Sequence, residues 1–304
     1  HKKYQFIDTN YSVPSSNVAW VAPNGNDTTG NGSENSPYKT FGKAVTAVPS
    51  GGTVVAKSGI YREPHFFVSK NNITLQAAPH AEVWLKGSDI VTNWTGDNGV
   101  WKTTGNYHNF CHVCTTNSDP GKEGVAAYPE QVFINDEPMQ QVATKAEVTP
   151  GSNTFYVEDK TPTTLKVPGD NSKGYNIGAQ DNITYYIGKN PAASQVEISE
   201  RTRAFTATGQ NFTARGINVA QYASVQAWGF ADPVYGKDIS GPTAVSLNGN
   251  NSLAQNMIIT QNSNQGLFFN QAKASANGVK VIDNGGSGAG ANKAHDSVFE
   301  NSEL

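Results

Sequence analysis

Hydrophobic and polar positions recur at a fixed interval near the C-terminal end of the chain. The segments "AVSLNGNNSLAQNMIITQNSNQ", "GLFFNQAKASANGVKVIDNGGS" and "GAGANKAHDSVFENSEL" begin at Ala244, Gly266 and Gly288, 22 residues apart each time. Asn248, Asn270 and Asn292 keep that interval, as do Asn262 and Asn284. Each unit reads as a short alternating strand ending in Asn, a turn, and a second strand such as "MIIT" or "VKVI". Aligning Asn284 with Asn301 gives the third unit a shorter turn and puts Asp283 and Glu300 at equivalent positions.

A unit of this size cannot bury its own apolar face, but stacked copies can, which predicts a solenoid. Leucine-rich repeats need an L-x-x-L-x-L frame that is missing here, so parallel β-helix coils fit better. Each coil then adds about 4.8 Å along the axis, and residues at matching positions stack. Val245, Leu267 and Ala289 form one expected inward column, and Leu247, Phe269 and Ala291 another. Stacked Asn side chains at a bend satisfy one another's amides as an internal ladder.

Near the N-terminus, Val18 to Ala22 reads as a strand. Ser36-Pro37 then precedes an amphipathic helix over about Thr40 to Val48, ended by Pro49 and Gly51. With Phe41, Ala44, Val45 and Val48 on one face, it suits the role of covering the open end of a β-helix. "TVVAKSGIY", "HFFVS", "NITLQAA" and "AEVWLKGS" follow as the first coils. The middle of the chain, about 93–198, departs from the coil pattern and reads as an antiparallel β insertion, with turns at Asn135-Asp136 and Pro150-Gly151. The whole of 1–304 is expected to be one all-β domain.

Composition agrees. Charged residues make up 15% of the 304 and the net charge is −3, which gives no basic footprint for nucleic acid. No apolar run approaches membrane-spanning length. The chain starts His1-Lys2-Lys3 without an initiator Met, as a processed chain would. It stops one strand after the last full repeat, so the expectation is further protein after Leu304 or a covered last coil.

"PNGND", the "SPYKTFGKAV" helix, "GGTVVAKSGIYRE" and the coils with "NQGLFF" carry a resemblance. Over roughly residues 18–92 and 205–304 the chain resembles secreted right-handed parallel β-helix polysaccharide lyases acting on pectate or alginate, and related β-helix carbohydrate-active proteins. The resemblance implies a right-handed β-helix, an extracellular monomer and an acidic polysaccharide as partner. It also implies cleavage by β-elimination, by way of Lys, Arg, Tyr and His residues or a carboxylate-held Ca²⁺. The sequence has no dense Asp cluster for Ca²⁺, so no cofactor is required, with Ca²⁺ left open.

β-Elimination needs a base for the proton beside the carboxylate, a cation for the dianionic intermediate and an acid for the leaving oxygen. The loop "QAWGFADPVYGKDISGP" interrupts the rhythm and brings Trp228, Phe230, Tyr235 and Lys237, with aromatic faces suited to sugar rings. Lys273 and Tyr235 are the first candidates for base and acid, with Lys237 beside them. Arg201, Arg215, Trp228, Lys293 and His295 are candidates for binding substrate; Lys273 and Lys293 lie close to one coil apart. A glycoside hydrolase would instead need two carboxyls, with Asp232, Asp238, Asp283 and Asp296 as candidates. A non-catalytic carbohydrate-binding module would use the same aromatics.

"NYHNFCHVCTTNSDPG" holds both cysteines, Cys111 and Cys114. Thr115 stands where haem attachment needs His, and no βαβ pattern surrounds the pair as a thioredoxin-type centre requires. A zinc site completed by His108 and His112 stays open. Export, which the resemblance implies, favours a local Cys111–Cys114 disulfide.

Overall fold

The expected inward columns exist, and they run further back than the repeat showed. In the computed structural model, which describes residues 4–108, 110, 125, 128–159, 162–166, 174–178, 183–224, 231–232, 237–238 and 243–304, Val245 pairs with Leu267 and Leu267 with Ala289. The same column continues through Phe205 to Phe66. Beside it stand Val68, Ala207, Leu247, Phe269 and Ala291. All but the two terminal alanines are buried in one core.

Each coil visits three parallel sheets in turn. The first sheet stacks Val18–Val21, Thr53–Ala56, Thr74–Ala77, Thr213–Arg215, Leu253–Gln255, Ser275–Asn277 and Val298–Glu300. The second stacks Gly59–Tyr61, Val83–Lys86, Ile217–Ala220, Ile258–Thr260 and Lys280–Ile282. The third stacks Phe66–Val68, Phe205–Ala207, Thr243–Leu247, Gln265–Phe269 and Ala289–Ala291. The result is a parallel β-helix, almost entirely β.

The α-helix α1 (Phe41–Ala47) buries Phe41, Ala44 and Val45 in the core of the first coils. Phe41 stacks on Phe66 at 5.9 Å between ring centroids, and Phe66 on Phe205 at 5.4 Å. The helix start is held from outside. Thr40 caps it by accepting from the Lys43 N–H, and Asp27 accepts from Lys39 and Thr40. Buried Glu63, beyond the first coil's second-sheet strand, accepts from the Phe41 and Gly42 N–H groups at 2.9 and 3.0 Å.

The two long excursions leave at the same bend, between the second and third sheets, in successive coils. The insertion leaves after Lys86 and returns before Phe205; the loop of 225–242 leaves after Ala220 and returns at Thr243. Strand Ser88–Val91 is already part of the insertion, paired antiparallel with Val196–Ser199. The excursion therefore starts before residue 93, because alternation in "SDIV" does not reveal which partner a strand takes. Its sheets join Val132–Ile134 to Val196–Ser199, and Val100–Gly105 and Thr154–Asp159 to Ile183–Ile187.

A charge network fixes this insertion to the coils. Lys86 Nζ lies 2.7 Å from Asp136 and 3.0 Å from Glu197, both on the insertion. Arg62, on the first coil, also pairs with Glu197. Lys86 and Glu197 are buried, so removing Lys86 takes one of two cations from a carboxylate that has no access to water. Carboxamides add to the joint: Gln131 donates to the Gln261 carbonyl and Gln261 to that of Asp136.

The register corrects the third repeat. Glu300 pairs with Asn277 in the first sheet, whereas Asp283 follows the second sheet, so the two are not equivalent. The final turn is one residue longer, not shorter: Ser275 pairs with Val298, 23 positions on. Asn301 bonds Asn277, and this misled an alignment on Asn alone.

Residues 4–17 join no coil and cross the outside of the second and first sheets. Tyr4 and Ile7 pack on Trp84, Ala220 and Ile258. Thr9 accepts from the His80 N–H, Ser12 from Gln76, and Asn17 from the Thr53 N–H. No helix among the described residues is long and apolar enough to cross a membrane.

Two stability predictions follow from the buried charges. Lys86→Met should cost about 3–5 kcal/mol, read as a fall in the urea midpoint at unchanged slope. Glu63 is pushed up to about 7, chiefly by burial and against the pull of the two N–H bonds. Its folded value lies above the unfolded one, so the stability it contributes is complete below the ordinary carboxylate range and lost as the pH rises through about 7. Between about pH 5 and about pH 8, the native chain should therefore lose more stability than Glu63→Gln does.

Candidate functional site

Both excursions leave the coils at the bend that precedes the third sheet. Its outward column is Phe67, Thr206, Ser246, Phe268 and Gly290 in register. Phe67 is 55% exposed. Gly290 leaves room for the Phe268 ring: a Cβ there would lie 3.0 Å from a Phe268 ring carbon. The rings of Phe67 and Phe268 in this column are of the kind that suits the faces of sugars.

A groove of about 860 Å³ borders the sheet on the insertion side. One wall is the bend after the second sheet in the fourth and fifth coils, with Gln261, Asn262, Ser263, Asp283 and Asn284. The other is the insertion, with Tyr128, Glu130, Gln131, Gln140, Gln141 and Glu147 over a floor that includes Val132 and Phe155. Many of these polar groups serve the fold. Asn262 donates to Asn284 at 2.8 Å, and Asn284 donates to the carbonyls of Ile259 and Ile282, so this pair is the expected internal ladder. Glu147 closes a capping box with Thr144. The Gln141 side-chain oxygen, by contrast, is buried with no hydrogen-bond partner among the described residues. Asp283 receives the Tyr4 hydroxyl at 2.6 Å, so the N-terminal arm orients an acid of the groove. No Lys, Arg or His lines the groove among the described residues.

On the opposite edge, the bend from the third to the first sheet carries a shallow hollow of about 600 Å³. It is lined by Asn250, Gln271, Ala272, Lys273, Lys293 and His295, so three of the expected site residues do meet. The edges are joined by Gln265–Phe269, about 13 Å of strand. Lys273 has an unusual seat. Asn72, Asn211 and Asn251 occupy successive left-handed turn positions at φ near 60, 55 and 57°, with Asn211 donating to Asn72 and Asn251 to Asn211 at 2.7 and 2.8 Å. Lys273 takes the next position at φ 56° and ends this ladder. Lys293 sits at φ 54° in the longer last turn, and the His295 carbonyl accepts from the Lys273 N–H.

The arginines lie elsewhere. Arg201 forms a two-pronged pair with Asp89 at 2.8 and 3.2 Å across the root of the insertion. Arg215, on the first sheet, donates to Gln76 at 2.7 Å and lies 4.4 Å over the Tyr11 ring of the N-terminal arm. Lys237 and Asp238 form a strand paired with Ala231–Asp232, on the loop that leaves beside the groove. Tyr235, Trp228, Cys111 and Cys114 lie outside the described residues. Among the described residues there is no group of three or more His, Cys, Asp or Glu able to hold a metal.

No family model matches the chain, and no curated protein matches its sequence. Solved structures do match its fold. The complex of XylC with xylose superposes at a TM-score of 0.64 with 16% identity, over 94% of this chain and 58% of that one. A glycoside hydrolase superposes at 0.51 with 11% identity, over 88% of this chain and 66% of that one. The chain thus spans less than two thirds of either. A pectate lyase and a rhamnogalacturonan lyase superpose at 0.29 and 0.28, too little for a residue-by-residue correspondence. The structural neighbours are β-helix carbohydrate-active proteins, and this chain has their scaffold.

Restoring the ladder gives a direct test of why Lys273 is there. Lys273→Asn should raise stability by about 1 kcal/mol, seen as a higher thermal midpoint, because Asn tolerates positive φ and can donate to Asn251. A lower midpoint would mean the lysine serves the fold.

Proposed function

We propose that this chain is the β-helix part of a carbohydrate-active enzyme that holds a glycan across the outward face of the third sheet and hydrolyses it. The observation that carries this reading is the chemistry of the groove at the insertion. Its wall offers an unpartnered buried Gln141 oxygen and the acids Glu130, Glu147 and Asp283, with no cation among its described residues. Such a surface suits hydroxyl groups, which donate to carboxamide and carboxylate oxygens. It repels the carboxylates of a polyuronate. The acids are also the groups that glycoside hydrolysis employs, one to protonate the leaving oxygen and one to activate water or attack. The fold likeness to XylC and to a glycoside hydrolase is in keeping with this.

A second reading is favoured by the other edge. Lys273, Lys293 and His295 around one hollow would attract a uronate and could serve β-elimination on an acidic polysaccharide such as pectate or alginate. Asp296 lies 3.6 Å from His295 and offsets part of that charge. In that case Tyr235 or Lys237, whose loop leaves on the groove side, would have to reach across the sheet.

Incubation with xylan, β-glucan, pectate and alginate separates the readings. Hydrolysis gives new reducing ends without ultraviolet absorbance, expected on a neutral polymer and reduced at least tenfold in Asp283→Asn (an order-of-magnitude expectation). An absorbing unsaturated product from pectate or alginate, lost in Lys273→Ala, would replace hydrolysis by elimination. Binding without product would make the chain a carbohydrate-binding module.

A further inference from the structure

The two edges of the third sheet make opposite demands on one ligand. The groove at the insertion offers the acids Glu130, Glu147 and Asp283 and no cation among its described residues, which suits hydroxyl groups and repels carboxylates. The hollow at the other edge brings together Lys273, Lys293 and His295. Both surfaces belong to the same coils. Asn262 and Ser263 of the groove lie just before strand Gln265–Phe269, and Gln271 to Lys273 of the hollow lie just after it. About 13 Å of strand separates them, a few sugar units, with the half-buried Phe268 on the outward face between.

The two lysines sit in strained backbone and do not serve the fold through their charge. Lys273 stands at φ 56°, where Asn72, Asn211 and Asn251 build a ladder, and Lys293 stands at φ 54° in the next coil's turn. Left-handed backbone is tolerated by Asn and disfavoured for a long side chain. Lysines of earlier coils use their charge on the fold. Lys70 donates to the carbonyls of Thr46 and Val48 at 2.7 and 2.6 Å, and Lys86 pairs with Glu197. Lys273 and Lys293 are exposed and make no ion pair or side-chain hydrogen bond among the described residues. Asp296 lies 3.6 Å from His295 and offsets that ring, which leaves the two ammonium groups for a ligand. Strained positions kept for unpaired charges point to function rather than packing.

We propose that the hollow is a binding subsite for the carboxylate of a uronic acid side group, on a glycan whose neutral backbone lies in the groove. A polyuronate would satisfy the hollow but be repelled by the groove. An undecorated neutral polymer would fill the groove and leave both lysines without a partner. A neutral backbone with scattered acidic branches meets both edges at once. The lysines bind and position the branch; they do not act on the bond that is cut. The placing of the backbone rests on the reading of the groove given above, whereas the placing of the acidic group rests on the hollow's own residues.

Glucuronoxylan and the same polymer with its carboxyl groups reduced to alcohols make the test, since they share a backbone and differ in charge. Affinity electrophoresis of the whole chain should show about tenfold tighter binding to the acidic polymer, the worth of one hydrogen bond to a charged group. The preference should shrink towards none as salt is raised to about 1 M, where the screening length falls to about 3 Å. Reducing-end assays should give the same preference in kcat/KM, carried by KM and not by kcat. Lys273→Asn, which completes the Asn ladder, combined with Lys293→Ala should abolish it.

Equal binding of both polymers by the unsubstituted chain, or binding of neither, would overturn the proposal whether or not any variant folds. So would a preference that survives the loss of both lysines. Preferential binding of the acidic polymer with neither polymer cut would keep the hollow as a carboxylate subsite and remove the hydrolytic reading of the groove. An unsaturated product from pectate or alginate, lost in Lys273→Asn, would make that lysine catalytic and overturn its positioning role.

Discussion

Everything in this molecule hangs on the parallel stacking of one coil on the next. An inward residue is buried only because the residues at its position in the neighbouring coils are present, so Phe66, Phe205, Val245 and Leu267 form one object although they come from four separate stretches of chain. The pairing fixes register strictly, since a slip by one residue would turn the inward column outward. It also decides where variation is allowed. Sequence can be added at a bend without disturbing the columns, and here both large additions use the same bend.

That choice of bend creates the groove. The insertion rises beside the third sheet and meets the next two coils through Gln131, Gln261 and Asp136, leaving a groove between two rigid walls. The joint includes the buried pair Lys86–Glu197, with the partly exposed Arg62 beside it. Such a joint is demanding about geometry: misplacing one partner strands the other in a dry interior. The orientation of the groove wall is thereby tied to the identity of a few side chains two coils away.

Much of the scaffold was legible in the sequence because a solenoid writes its contacts at a constant spacing. The interval of 22 exposed the columns and the Asn262–Asn284 ladder directly. It failed where two different bends both use Asn, so that Asn301 passed for the partner of Asn284 although it stacks on Asn277. Of the two candidate surfaces, only the hollow was legible. Lys273, Lys293 and His295 repeat nearly in step and were found together, while the groove is half made of insertion residues such as Gln141 and Glu130, which follow no repeat. Arg201 and Arg215 looked available in sequence because their partners, Asp89 and the Tyr11 ring, lie 112 and 204 positions away.

The N-terminal arm has a consequence for how the chain comes together. Tyr4 finds its hydroxyl partner 279 positions later, on the fifth coil, and its apolar seat is assembled from Trp84, Ala220 and Ile258. During synthesis this arm must therefore wait until the fifth coil is made before its docking surface is complete. Coils can add one upon another from the N-terminal end, but the arm closes over them only afterwards, as the last long loop to shut. It acts as a late latch, and residues 4–17 carry a check that the fifth coil has been built.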